Sequence, residues 1–199
     1  MLEPKEGLLT FRAEGDNYPG SRYYSRKIHW PGNSAGCARD ASGVTIGRGF
    51  DLGSRTKEET LQYLAKAGLS SEHAKKIAEG SRLKYCQARR FVKENQDSIG
   101  EITESQQLQL FNITYIEYVR DAKRFYNAYK GYGSLPWSRL DHKIKDIFVD
   151  MKYQGALRIE MVRFFEKNEK EEVIKLILSN ARLKRDEDNR QRISYLKGR

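Results

Sequence analysis

Residues 42–53, Ser-Gly-Val-Thr-Ile-Gly-Arg-Gly-Phe-Asp-Leu-Gly, limit what this chain can fold into more than any other stretch. Four of these twelve residues are glycine, which permits a tight turn and the close approach of a second backbone segment. Val44 and Ile46 alternate with Thr45 as in a short strand, so Thr45 lies on the opposite face. The pattern predicts a β-hairpin that presents Thr45 and Asp51 where a ligand can approach the main chain.

Helical patterns dominate the rest of the chain. A short helix is expected over residues 7–15, before the hairpin. After the hairpin, apolar residues recur every three to four positions. Thr56 with Glu59, and Thr103 with Gln106, form capping boxes that mark two helix starts. Helices are expected over residues 56–68, 71–80, 83–95, 103–126, 139–153, 157–165 and 171–181.

These elements predict an α+β fold that is mainly helical. The length of 199 residues suits a single domain with two intimately joined lobes. We expect a small N-terminal lobe, residues 1–55, that contains the hairpin and the candidate catalytic residues. A larger helical lobe, residues 56–199, follows it.

The chain is basic, with a net charge of +10 that both halves share. Such a charge favours polyanionic partners, namely nucleic acid, acidic lipid or an anionic cell wall, although solubility alone also explains it. No apolar run approaches about 18 residues, so no membrane span is expected. The N-terminus lacks a positive segment followed by an apolar one, so we expect no ordinary secretory signal peptide, and export would use another route.

The cysteines and histidines predict no metal site and no cofactor. Cys37 and Cys86 lack a C-x-x-C spacing. Two free thiols are the favoured interpretation, and one bridge stays open as the alternative. His29, His73 and His142 lie far apart and lack ligand spacing. They are interpreted as ordinary surface or core residues.

Glu14, Thr45 and Asp51 form the candidate catalytic set. A glycosidase needs one carboxyl that donates a proton to the leaving oxygen and a second that stays ionised. A threonine hydroxyl can hold the attacking water beside that second group. Residue types alone do not separate Glu14 from an ordinary exposed glutamate.

Several motifs resemble the phage-type lysozymes, and within them the pesticin-like branch that includes secreted antibacterial effectors. Glu14-Gly15, Ile28-His29-Trp30-Pro31-Gly32 and residues 42–53 carry the resemblance in the N-terminal part. Looser matches follow in the helical part, at residues 100–103 with 110–112, at residues 150–155 and at residues 189–192. The likeness therefore spans roughly residues 7–193.

The resemblance implies a lysozyme-like fold and a muramidase, which cleaves the β-1,4 bond between N-acetylmuramic acid and N-acetylglucosamine with inversion. Glu14 matches the general acid and Thr45 the threonine that orients water. Asp51 matches the catalytic aspartate of the pesticin-like branch, whereas Asp40 lies near its position in phage enzymes. We favour Asp51, because residues 50–53 extend the motif without a gap.

Five further residues are candidates for substrate binding, and each has a structural alternative. Tyr24 and Trp30 lie in an aromatic and cationic loop that suits sugar stacking or packing onto the domain. Arg48 could contact substrate or cover the hairpin. Gln154 could line the cleft or form hydrogen bonds in the core. Arg190 resembles an arginine that approaches the acid, or it is a solvated charge.

Peptidoglycan is the partner that the resemblance implies, and an acidic cognate inhibitor protein is a second. Phage endolysin, bacteriocin and injected effector are all compatible settings. The rival reading is a basic protein that binds cell wall or nucleic acid without catalysis. We do not expect nucleic acid as a partner, because the tyrosines mostly fall at core spacing. A phosphate-binding loop is disfavoured, because the glycines are not followed by Gly-Lys-Ser/Thr.

Overall fold

The computed structural model describes residues 2–198 and shows a mostly helical chain with one small antiparallel sheet. The predicted mainly helical α+β class is confirmed. The helices are α1 (Leu8–Ala13), α2 (Lys57–Lys66), α3 (Ser71–Ala78), α4 (Tyr85–Ile99), α5 (Glu104–Tyr129), α6 (His142–Tyr153), α7 (Lys170–Ser179), α8 (Ala181–Arg190) and α9 (Arg192–Lys197). The strands are β1 (Thr45–Ile46) and β2 (Phe50–Asp51), and short 3-10 helices cover Ser34–Arg39, Trp137–Arg139 and Ile159–Phe164.

The described residues form two compact units. Residues 2–4 and 14–114 make the first unit, which contains the hairpin and helices α2 to α4. Residues 5–13 and 115–198 make the second unit, which contains α1 and helices α6 to α9. Within residues 2–198, no helix combines the length and the apolar character that crossing a membrane requires.

The hairpin forms as the glycine pattern predicts. Ile46 pairs with Phe50 and Thr45 with Asp51 in antiparallel register. The connecting residues include Gly47 and Gly49, whose φ values of +63° and +81° lie in the region that favours glycine. Two glycines at these positions therefore allow the chain to reverse within three residues.

The core of the first unit combines the hairpin with the helices that follow it. One face of the hairpin packs on side chains from α2, α3 and α4 and from the start of α5. Fully buried members of this core are Ile28, Val44, Ile46, Leu52, Leu64, Ile77, Ala88 and Ile102. The apolar spacing of the sequence predicts these helices because the apolar side of each helix faces this one core.

Both predicted capping boxes are present. Thr56 Oγ1 accepts from the Glu59 amide, and the Glu59 carboxylate accepts from the Thr56 amide at 2.7 Å. Thr103 and Gln106 exchange the equivalent pair of hydrogen bonds at the start of α5. These bonds satisfy amides that the first turn of a helix leaves without partners.

The charged C-terminal segment contains two helices that the sequence analysis did not predict. Asn180 caps α8 by accepting from the amides of Arg182 and Leu183. Gln191, with φ +54°, separates α8 from α9. The apolar stripe is thin here, because Leu183 and Leu196 are the large apolar side chains that these helices bury.

A buried cluster of charges holds these last helices in the second unit. The Asp150 carboxylate is fully buried on α6, and it accepts from Arg190 Nη1 at 2.9 Å and from Arg192 Nε at 2.7 Å. Thr10 Oγ1 of α1 donates to the same carboxylate at 2.9 Å. Arg192 Nη2 also donates to Gln154 Oε1 at 2.7 Å. One carboxylate thus joins three parts of the second unit.

The prediction of two free thiols is wrong. Cys37 and Cys86 form a disulfide, with their Cα atoms 5.0 Å apart. The bond joins the 3-10 helix Ser34–Arg39 to the first turn of α4. The cysteines are 49 positions apart in the sequence, and only the folded first unit brings them together.

Removing this disulfide should destabilise the first unit. In a Trp137→Phe background, Trp30 is the single tryptophan, so its fluorescence during urea unfolding reports the first unit. Replacing both cysteines by serine should lower the free energy of unfolding by about 2–4 kcal/mol, because the unfolded chain regains loop entropy. A reductant should lower the stability of the parent protein and leave the double variant unchanged. Equal stability of parent and double variant would contradict the prediction.

Replacing Asp150 by asparagine should destabilise the second unit. Arg190 and Arg192 would remain buried without their counterion, which costs about 3–5 kcal/mol in comparable sites. Urea unfolding followed by Trp137 fluorescence in a Trp30→Phe background measures the loss. Asp121→Asn is the control, because the pair of Asp121 with Lys152 is partly exposed and should contribute less than about 1 kcal/mol. A loss for Asp150→Asn as small as the control would show that other contacts hold the arginines.

Candidate functional site

A third chain segment extends the hairpin on the side of β1. His29 pairs with Thr45 as an antiparallel bridge, in which each amide donates to the other residue's carbonyl at 2.8 and 2.9 Å. Thr45 in turn pairs with Asp51 on its other side. His29, Thr45 and Asp51 are therefore neighbours across three adjacent strands.

The two faces of this arrangement differ completely in character. Successive side chains of a strand point to opposite faces, and directly paired residues share a face. One face is apolar and packs into the core, and its side chains are Ile28, Trp30, Val44, Ile46, Phe50 and Leu52. The other face carries His29, Thr45 and Asp51, which we call the polar row.

Thr45 and Asp51 are the closest members of the polar row. Because the backbone bonds of Thr45 go to His29, Thr45 and Asp51 form a non-hydrogen-bonded pair, the type in which side chains approach most closely. Thr45 is 4% exposed, whereas Asp51 is exposed. The structure thus brings together two residues that the sequence analysis placed in one site.

Two glycines shape the surroundings of the Asp51 carboxylate. Asp51 Oδ1 accepts from the Gly53 amide at 2.7 Å, which orients the carboxylate. A Cβ atom at position 43 would clash with Asp51 Oδ1 and with the Gly53 backbone. Gly43 and Gly53 therefore leave the space that the carboxylate occupies. Thr45 Oγ1 donates to the Gly43 carbonyl at 3.4 Å, so Gly43 borders both side chains.

Glu14 belongs to the same unit, directly after the end of α1, and is half-buried. Its segment is joined to the hairpin through Ser25. The Ser25 amide donates to the Asp16 carbonyl at 3.1 Å, and the Gly47 amide donates to the Ser25 carbonyl at 2.7 Å. These bonds place the segment that carries Glu14 beside the hairpin turn.

Arg48 provides a second connection between the hairpin tip and that segment. It is 3% exposed, and its Nη2 donates to Asn17 Oδ1 at 3.1 Å, while Gln107 Nε2 donates to the same oxygen at 2.8 Å. Burial lowers the pKa of Arg48 to about 10, and the nearby carboxylates of Asp16 and Glu14 act in the opposite direction. Arg48 therefore keeps its charge at neutral pH, and its burial fits the alternative in which it supports the hairpin.

Asp40, the second candidate for the catalytic aspartate, organises its own loop. Its Oδ2 accepts from the Asn33 amide at 2.8 Å, and its Oδ1 accepts from the amide and the hydroxyl of Ser42 at 3.1 and 2.6 Å. These hydrogen bonds lower the pKa of Asp40 below its usual value. Both carboxylate oxygens are thus engaged by the loop that ends at the hairpin.

The aromatic candidates are anchored within the first unit. Trp30 Nε1 donates to the Ser42 carbonyl at 2.9 Å, and its ring packs over Gly32 and against the apolar core. Tyr24 is half-buried, and burial raises the pKa of its hydroxyl. Tyr18 and Tyr23, by contrast, are exposed.

Gln154 and Arg190 lie in the second unit, where both belong to the cluster around Asp150. Gln154 Nε2 donates to Asp186 Oδ2 at 2.8 Å, and its Oε1 accepts from Arg192. Arg190 is 7% exposed and paired with Asp150, so it is not a solvated charge. Arg190 also borders a cavity of about 290 Å³ whose lining includes Arg12 and Tyr195.

His29 is the member of the polar row that the sequence analysis missed. Burial lowers its pKa, although a hydrogen bond to the Lys27 carbonyl opposes this effect. A signal was present, because Ile28-His29-Trp30 alternates apolar and polar residues as Val44-Thr45-Ile46 does. No group of three or more histidine, cysteine, aspartate or glutamate side chains within residues 2–198 is arranged to hold a metal ion.

Comparisons with known proteins place the chain in one family. The family described as Domain of unknown function (DUF8812) matches residues 7–191. The match includes all the candidate catalytic and substrate-binding residues of both units. A comparison with curated proteins finds no match.

The hydrogen bonds of Asp40 generate a pH-dependent stability difference. Because the pKa of Asp40 is lowered in the folded protein, its ionised form stabilises the fold. This contribution is complete above the unfolded-state pKa, about 3.9, and is lost as the pH falls through the lower folded-state pKa. The difference in unfolding free energy between parent and Asp40→Asn should be widest at about pH 6 and should shrink towards about pH 3. Asp97 is exposed, so Asp97→Asn should differ little from the parent in unfolding free energy at both pH values. A difference between parent and Asp40→Asn that widens in acid would contradict the prediction.

Proposed function

The chain belongs to the DUF8812 family, and we propose that it is a peptidoglycan hydrolase with a lysozyme-like fold. In this proposal it cleaves the β-1,4 bond between N-acetylmuramic acid and N-acetylglucosamine. The observation that carries the proposal is the pairing of Thr45 with Asp51 on the sheet face opposite the core. A buried hydroxyl next to an exposed carboxylate is an arrangement that can hold and activate a water molecule.

Asp51 acts as the general base in the proposed mechanism. The Gly53 amide fixes Asp51 Oδ1, which leaves Oδ2 to accept a proton from water as its oxygen attacks the anomeric carbon. Thr45 holds the same water through its hydroxyl oxygen. Attack on the face opposite the leaving group inverts the anomeric configuration. Asp40 is a weaker candidate for this role, because both its oxygens already accept hydrogen bonds from the loop.

Glu14 acts as the general acid. It must carry its proton when substrate binds and donate it to the glycosidic oxygen as the bond breaks. The backbone connections through Ser25 and the Arg48 to Asn17 hydrogen bond hold its segment against the hairpin. Arg48 supports this geometry from within the unit. Gln154 and Arg190 are proposed to have mainly a structural role in the second unit, as members of the cluster around Asp150.

The disulfide and the net charge support a site of action outside the cytoplasm. Disulfides persist in oxidising compartments, and Cys37 and Cys86 are joined. A net charge of +10 favours an anionic cell wall. We propose action on the wall of a target cell, as a lysis enzyme, bacteriocin domain or injected effector. In the last two settings the producing cell would need an inhibitor protein, and an acidic one would complement the basic surface.

Peptidoglycan clearance tests the proposal directly. The parent protein should clear purified peptidoglycan, and Glu14→Gln and Asp51→Asn should each lose about 10²–10⁴-fold of the rate, because each removes a proton-transfer group. Asp40→Asn should keep a rate within about tenfold of the parent, since its role is to hold the loop. Asp97→Asn is the matched control for an exposed aspartate and should be unchanged. Each variant is checked for folding by circular dichroism.

The pattern of outcomes separates the alternatives. Loss of activity in Asp40→Asn with retention in Asp51→Asn would assign the base to Asp40. An inert parent that binds walls would favour a non-catalytic wall-binding protein. An inert parent that binds duplex DNA with strong salt dependence would favour nucleic acid as the partner. Retention of configuration in the first product would exclude the inverting mechanism.

A further inference from the structure

His29 occupies the polar row beside Thr45, on the side away from Asp51. We propose that His29 is a substrate-positioning residue that accepts a hydrogen bond from an N–H or O–H group of the glycan. This inference rests on the proposed function, because it assigns a further residue to the same site. Its starting point is the polar row itself. His29 lies on the face opposite the core, whereas its neighbours Ile28 and Trp30 face the core.

The protonation state of the ring follows from its contacts. His29 Nδ1 lies 3.1 Å from the Lys27 carbonyl oxygen. A carbonyl oxygen only accepts hydrogen bonds, so Nδ1 carries the proton and donates it. The ring is half-buried, and this burial lowers its pKa, so the imidazole is neutral near pH 7 and has an acceptor lone pair on Nε2. The ring is therefore anchored at one nitrogen and can accept at the other.

The spacing of the row decides what His29 can do. A hydrogen-bonded pair separates Cα atoms by about 5.5 Å and a non-hydrogen-bonded pair by about 4.5 Å, so about 10 Å separate His29 from Asp51. His29 therefore lies one strand beyond Thr45, on the side away from the carboxylate that activates the water in the proposed reaction. It is placed to contact the substrate next to the reacting bond, which makes it a binding group and not a base.

Two substitutions separate this role from a purely structural one. In His29→Asn, the side-chain amide can still donate to the Lys27 carbonyl, but no atom reaches the position of Nε2. In His29→Gln, the longer amide returns an acceptor to that position. If the ring had only a structural role, both substitutions would be poorly tolerated. If Nε2 is a binding acceptor, His29→Asn removes it and His29→Gln restores it. His142→Asn is the control, because His142 is an exposed histidine of the second unit.

Steady-state kinetics on soluble, peptide-free glycan strands provide the test. His29→Asn should raise KM about tenfold, which corresponds to about 1.4 kcal/mol, with kcat within about threefold of the parent. His29→Gln should bring KM back to within about threefold of the parent, and His142→Asn should leave both constants unchanged. A fall in kcat without a rise in KM, or equal KM values for His29→Asn and His29→Gln, would overturn the proposal. Loss of folding in His29→Asn would assign the ring a structural role and overturn it as well.

A binding measurement keeps this inference separate from the proposed reaction. Calorimetry with the same glycan strands, in an Asp51→Asn background that slows hydrolysis strongly, should show about tenfold weaker binding for His29→Asn than for the background alone. If the parent hydrolyses peptidoglycan but binding is insensitive to His29, only this inference fails. If the parent is inactive yet binds glycan through His29, the reaction fails and the binding role stands. If the parent neither binds nor cleaves glycan, both fail.

Discussion

The pairing of Thr45 with His29 on one side and Asp51 on the other is the constraint on which the candidate site depends. Because side chains alternate along a strand, a slip of one residue would exchange the two faces. Five side chains of the apolar face, Ile28, Val44, Ile46, Phe50 and Leu52, are at most 1% exposed. Each contributes about 1.5–3 kcal/mol through burial, so the core fixes the register. The polar row is thus positioned by residues that never touch a ligand.

The loop before the hairpin shows how this register is protected. Asp40 holds the loop with hydrogen bonds to both its ends, Trp30 donates to the Ser42 carbonyl, and the disulfide fixes the Ser34–Arg39 helix to α4. The first two of these contacts converge on Ser42, which precedes Gly43. The lack of a side chain at Gly43 makes room for the Asp51 carboxylate. A polar residue whose position resembles that of a catalytic residue can therefore have a structural role. Asp40 is such a residue, because both its carboxylate oxygens accept hydrogen bonds from the loop.

The sequence predicts features that depend on local patterns. The hairpin and most helices follow from glycine positions, apolar spacing and capping boxes, all of which act over a few residues. The disulfide, the burial of Arg190 and Arg192, and the place of His29 depend on contacts between distant segments. Asp150 precedes Arg190 by 40 positions, so the sequence alone left open whether Arg190 is a site residue or a solvated charge. Thr45 and Asp51 were found because the turn that joins them is itself a local pattern.

The charges of the molecule are divided between its surface and its interior. Buried Arg190 and Arg192 share the Asp150 carboxylate, and buried Arg48 is attracted by Asp16 and Glu14. Most of the net charge of +10 is therefore displayed on exposed side chains, where it can attract an anionic polymer over a distance. The polar row carries the carboxylate of Asp51 and, near neutral pH, no cation, because His29 is neutral. Under the proposed function, attraction to the wall and attack on the glycan are then separable: added salt should weaken the first without changing the protonation chemistry of the second.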